Sequence, residues 1–108
     1  MLEPLFGNKV VEKILFYLLT YENGYIRAFA RTFSIPVNGI TQQLKRLENG
    51  GVISSQLKGK IRLYSFNPRY PFLPELKAML QKAMDTLPEN ELENYYMQRT
   101  RPRRKGKP

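Results

Sequence analysis

Asn38, Gln42, Lys45, Arg46 and Asn49 recur at a spacing that gathers them on one side of a helix, with Thr41 on its flank, given a turn of about 100° per residue. Ile40, Leu44 and Leu47 fall opposite, as the packed stripe of an amphipathic helix would. These side chains suit recognition rather than bond making. An Asn or Gln amide carries a donor and an acceptor side by side and matches the edge of adenine, and a threonine methyl packs on a thymine methyl. Lys and Arg pair with phosphates. The same residue types also solvate an exposed helix face, their usual role. The surrounding elements decide between the two.

Composition removes most catalytic chemistry. The 108 residues include no histidine and no cysteine. The commonest general base and the commonest neutral-pH metal ligand are therefore missing, and a Cys/His zinc site is excluded. The nine acidic residues show no ligand spacing, no Gly-rich phosphate loop occurs, and no Ser or Thr has an evident activating base. The expectation is a protein that is not an enzyme and uses no cofactor and no metal. The longest wholly apolar run, Ile14 to Leu19, is far too short to span a membrane. The start of the chain carries Glu3 and no basic leader, so a cytoplasmic, nucleoid-associated location is expected.

The net charge of +9 is unevenly distributed. Residues 1–24 hold two bases against three acids, and residues 67–97 three bases against five acids. Residues 25–66 hold seven bases against Glu48 alone, and residues 98–108 hold six bases and no acid. Two basic zones flanking a near-neutral one form an electrostatic footprint for a polyanion.

Four helices and a hairpin are expected to position these charges. Asn8 can cap a first helix with Val11, Ile14, Leu15 and Leu18 as its stripe, ending at Gly24. Phe16 and Leu19 widen its apolar surface, which fits deep packing or contact with a second subunit. Ile26, Phe29, Ala30 and Phe33 line a second, shorter helix. Pro36 disfavours helix at Ile35 and forces a turn. The third helix covers Val37 to Asn49, with Gly50 suited to the left-handed position past its end. Two β-rich runs around Lys58-Gly59-Lys60 read as a hairpin closed by Pro68, with Tyr64 and Phe66 directed to the core. In the fourth helix Leu73, Leu76, Leu80, Ala83 and Leu87 step by three and four, a short seam that fits core packing or a dimer equally. Residues 88–97 suggest one more short helix, with Thr86 and Glu89 in capping-box spacing. Residues 98–108 have nothing apolar to bury and are expected to be disordered.

Two helices joined by a tight turn match a helix-turn-helix, and a hairpin directly after them makes it winged. The fold class expected is mainly α with a small β-hairpin, and residues 1–87 form the DNA-binding domain. The stretch "YIRAFARTFSIPVNGITQQLKRLENGGVI", followed by "GKIRLYSFNP", resembles winged helix-turn-helix transcription regulators of the ArsR/MarR-like type. The matching features are Ile26-Arg27 with Ala30, Leu44-Lys45-Arg46-Leu47-Glu48, Gly51-Val52-Ile53, and Tyr64, Phe66, Asn67 and Pro68. The "NPRYPFLPEL" continuation is similar to small winged-helix domains associated with nucleotidyltransferases. The resemblance covers roughly residues 8–87. It departs from the pattern at Pro36, where a small polar cap is usual, and at Ser34, where Gly is frequent. Metal-sensing members use cysteine or histidine clusters, so that property does not carry over to a chain without either.

In a helix-turn-helix the early part of the second helix reads base edges in the major groove. Asn38, Thr41 and Gln42 are then the expected base contacts, with Gly39 permitting a close approach to the DNA or to the second helix. Lys45 and Arg46, together with Arg27 and Arg31 on the preceding helix, are expected on the DNA backbone. The resemblance implies a wing that lies on the backbone or in the minor groove, which adds Lys58, Lys60 and Arg62. Charge that protects an exposed strand edge is the alternative role for these three. Phe16, Leu19, Leu73, Leu76 and Leu80 are the expected dimer contacts. The partner expected is double-stranded DNA, bound by a homodimeric repressor. Two rivals stand beside it: an adaptor that docks on a partner enzyme such as a nucleotidyltransferase, and non-specific nucleic-acid binding through the basic tail.

Overall fold

Asn8 Oδ1 accepts the backbone N–H groups of Val10 (2.7 Å) and Val11 (3.2 Å), two donors that the first turn of a helix leaves unpaired. The computed structural model describes residues 2–96. The elements in order are α1 (Glu3–Phe6), α2 (Lys9–Tyr21), α3 (Ile26–Phe33), α4 (Val37–Asn49), β1 (Ile53–Lys58), β2 (Ile61–Phe66), α5 (Leu73–Met84) and α6 (Glu89–Glu91). The last continues into a π-helical turn at Leu92–Tyr96. The four helices expected from periodicity are thus α2 to α5, and the hairpin is β1–β2. The basic segment 98–108, expected to be disordered, lies outside the described residues.

α2 is the centre of the packing. Ile14, Leu15, Phe16 and Leu18 are fully buried with Phe29 of α3, Ile40 and Leu44 of α4, Ile53 of β1 and Leu80 of α5. Phe16 meets Tyr96 edge-on at a centroid separation of 5.6 Å, so the C-terminal turn closes over α2. Tyr64 and Phe66 are buried as expected, and Lys77 Nζ lies 5.5 Å from the centre of the Phe66 ring. No helix among the described residues is long and apolar enough to cross a membrane.

Several local expectations are corrected. α2 stops at Tyr21, and Glu22, not Gly24, takes the positive φ of 75° beyond it. Gly24 instead forms an antiparallel bridge to β2: its N–H donates to the Tyr64 carbonyl (3.0 Å), and the Tyr64 N–H donates to the Gly24 carbonyl (2.7 Å). Past α4 the left-handed residue is Gly51 (φ +80°), while Gly50 keeps a right-handed helical conformation. Thr86 does not cap α6: its hydroxyl donates back to the Ala83 carbonyl at 2.8 Å, and Pro88 holds the N-cap position without a side-chain bond. Phe16 and Leu80, expected at a dimer surface, are 1% and 0% exposed within the single chain and offer no area to a second subunit. Leu19, Leu73 and Leu76 are only partly buried. The apolar seam is therefore core at Leu80 and Ala83 of α5 and at Leu87 just beyond its end, and open at its start.

Candidate nucleic-acid interface

The turn between α3 and α4 uses Ser34 in the left-handed conformation (φ 55°, ψ 46°), which reverses the chain within a few residues. Pro36 follows at the N-cap of α4 with φ −57°, a value its ring imposes. The helix so launched divides cleanly. Ile40, Leu44 and Leu47 are buried, and α4 packs on α2, α3 and β1. Asn38, Gln42, Lys45, Arg46 and Asn49 are all exposed. The structure thus brings the five polar residues expected on the outward face to one solvent-facing surface.

Thr41 differs from these five. It is partly buried, and its hydroxyl donates to the Val37 carbonyl at 2.8 Å, a back-bond common for Thr inside helices. Val37, one turn earlier, is 42% exposed and escapes the sequence reading because an apolar residue after proline reads simply as a helix start. Arg46 Nη1 donates to Gln43 Oε1 at 3.4 Å, and Arg46 also borders a cavity of about 320 Å³ beneath the end of α4 with Leu47, Leu15 and Tyr70. At Gly39 a Cβ would meet only Ile35 Cγ2 at 3.5 Å, an ordinary contact. Close approach to α3 therefore does not require glycine there.

The hairpin carries the second set of cations. Ile53 pairs with Phe66 at its base and Lys58 with Ile61 at its tip. Gly59 (φ +64°) is the first central residue of the two-residue turn, where a type II′ hairpin calls for glycine. Lys58, Lys60 and Arg62 are exposed. Arg62 is the least independent of the three: its Nη1 donates to Ser55 Oγ (3.1 Å), and that hydroxyl donates to Glu48 Oε2 (2.8 Å). The chain Arg62–Ser55–Glu48 fastens the hairpin to the last turn of α4. Burial first, then the nearby Glu48, push the phenol of the adjacent Tyr64 up, and Arg62 pulls it the other way. On α3, Arg27 and Arg31 are exposed, and Arg31 Nη2 donates to the Tyr25 hydroxyl at 3.4 Å. Among the described residues no group of three or more Asp or Glu could hold a metal ion.

No protein-family profile and no curated protein sequence matches the chain. Solved structures do. YusO from Bacillus subtilis is 17% identical with a TM-score of 0.60, over 85% of this chain and 73% of that one. A mutant of ZitR from Lactococcus lactis in apo form is 17% identical with a TM-score of 0.56, over 85% and 78%. The adhesin competence repressor AdcR from Streptococcus pyogenes is 9% identical with a TM-score of 0.54, over 79% and 66%. ZitR is a zinc-responsive MarR family member. The fold is a winged helix-turn-helix. In this winged helix-turn-helix α3 and α4 are the paired helices and β1–β2 is the wing.

Proposed function

We propose that the chain binds double-stranded DNA as a transcription regulator and represses by occupying its site. The observation that carries this reading is the division of α4, with one face buried on α2 and α3 and the other exposing amide and basic side chains. Asn38, Thr41 and Gln42 read bases in the major groove. Lys45, Arg46, Arg27 and Arg31 hold the phosphates beside it, and Lys58 and Lys60 carry the wing onto the backbone. Arg62 steadies the wing through Ser55 and still has N–H groups for a phosphate. No step of covalent chemistry is involved.

The regulator acts as a homodimer in this reading, joined through α2 and α5 with Leu19, Leu73 and Leu76 supplying surface. The two recognition helices would then enter half-sites about 34 Å apart. Its place of work is the cytoplasm, at the nucleoid. AdcR is by its name a repressor, which supports the same role here. Zinc response is not carried over, because the chain lacks both histidine and cysteine.

The test is binding of the full chain to duplexes enriched from random DNA, followed by fluorescence anisotropy across a salt series. Seven exposed cations predict a log K against log salt slope steeper than about −4, since each neutralised phosphate contributes about −0.9. Gln42→Ala should relax sequence preference, and Lys60→Ala should weaken all sequences alike. A flat salt response would favour the adaptor reading, in which the same face meets a protein.

A further inference from the structure

We infer that the first half of α4 reads A·T base pairs through their thymine methyl groups, with Val37 and Thr41 as the methyl contacts. The inference rests on the DNA-binding reading above and specifies what that surface selects. A lone exposed valine needs no explanation. Here three observations coincide. Val37 is 42% exposed at the start of the recognition helix, where base contacts concentrate. Thr41 lies one turn on, and its hydroxyl is committed to the Val37 carbonyl at 2.8 Å. That bond uses the hydroxyl's only proton, so Thr41 no longer donates to a base and keeps only a weak acceptor beside its methyl. Beside this pair run Asn38 and Gln42, both exposed and likewise four residues apart.

The helix therefore presents two parallel lines, one of methyls and one of amides, separated by about 100° of rotation. Members of each line stand about 6 Å apart along the axis, close to two base-pair steps at about 3.4 Å each. In the major groove an A·T pair shows adenine N7 and N6–H₂ beside the thymine O4 and 5-methyl. An amide next to a methyl is the complement of that edge. A G·C pair offers no methyl, so the methyl line gains nothing from it. Each half-site should contain A·T pairs at two positions, each read by one amide and one methyl.

The experiment uses the full chain and duplexes enriched from random DNA. Thymines are replaced one at a time by deoxyuridine, which keeps every hydrogen-bonding group and lacks only the methyl. Two positions in each half-site should each lose about fourfold in affinity, the worth of one buried methyl-sized group. Val37→Ala should abolish the penalty at one position. Thr41→Ser, which keeps the hydroxyl bond, should abolish it at the other. Circular dichroism checks that both variants fold. If deoxyuridine is neutral everywhere, or the penalties survive both substitutions while salt-sensitive binding persists, the methyl reading falls and DNA binding stands. If the folded protein binds no duplex at any salt, both fall together.

Discussion

Replacing Gly24 by alanine places one methyl group where the fold has no room for it. An ideal Cβ at Gly24 would lie 2.8 Å from both Phe29 Cζ and Tyr17 Cε1, well inside the roughly 3.5–4.0 Å at which carbon atoms pack. Phe29 is fully buried, and the Tyr17 ring stacks edge-on against it at 4.8 Å, so neither ring can withdraw freely. Gly24 does not have a positive φ, so the penalty is steric rather than conformational. Overpacking of this kind costs about 1–3 kcal/mol. Weakening one bond of the Gly24–Tyr64 bridge adds about 1 kcal/mol. The expected total of about 2–4 kcal/mol lowers Tm by roughly 10–25 °C in a domain of this size. Urea unfolding followed by circular dichroism measures the free energy, and a thermal scan the shift. Phe29→Leu removes one of the two clashing atoms, so the double-mutant cycle should show a favourable coupling of about 1 kcal/mol or more. A cost for Gly24→Ala below about 0.5 kcal/mol, or a cycle without coupling, would refute the close-packing argument.

Two further outcomes follow from local geometry. Gly51→Ala should destabilise by about 1–2 kcal/mol, because Gly51 holds φ +80° and a Cβ is disfavoured there. Gly50→Ala should be nearly neutral, since that residue is right-handed and its Cβ would meet Arg46 O at 3.5 Å and Leu47 O at 3.8 Å, both ordinary contacts; paired urea titrations separate the two. The Tyr96 hydroxyl is buried without a hydrogen-bond partner among the described residues. Burial, then Glu91, Glu12, Tyr95 and Tyr21, push its ionisation well above the usual tyrosine range. A raised folded-state pKa contributes stability that is fully present below about pH 10 and is lost as pH rises beyond it, by up to about 1.4 kcal/mol per pH unit. Tyr96→Phe should therefore be neutral or stabilising at pH 7 and should flatten the alkaline loss. An unchanged slope above pH 10 would show that Tyr96 ionises without opening the fold.

The parts legible in the sequence were those with a period or a stop signal. α4 stood out because Ile40, Leu44 and Leu47 repeat at helical spacing between Pro36 and the glycine pair, and the wing because Lys58-Gly59-Lys60 interrupts two β-rich runs. What escaped depends on contacts distant along the chain. The Gly24–Tyr64 bridge joins residues forty positions apart through a single residue, which leaves no pattern to read. Phe16 shows that an apolar helix surface will be covered but not by what; its cover is Tyr96 of the same chain, not a second subunit. Leu80 is the same case on α5. The exposure of Val37 likewise follows from how α4 docks on α2 and α3, which periodicity alone does not give.

Glu48 is the residue that a purely electrostatic reading cannot place. It is the only acid among residues 25–66, and a carboxylate within a basic surface weakens attraction to a polyanion. The structure gives it a positional task. Glu48 accepts the Ser55 hydroxyl at 2.8 Å while Ser55 accepts Arg62 at 3.1 Å, so the last turn of α4 holds both strands of the wing. Asn67 adds a second tie at the wing's exit: its Nδ2 donates to the Gly51 carbonyl (2.9 Å) and its backbone N–H to the Val52 carbonyl (3.0 Å). The Gly24–Tyr64 bridge is a third, from the entrance of α3. The first tie joins α4 itself to the wing, and the other two hold the wing's base to the segments flanking α3 and α4. In the proposed DNA-binding reading, two surfaces fixed relative to each other would leave less ordering to do on binding. Its bond to Ser55, and through it to Arg62, gives the lone acid among these cations a structural role.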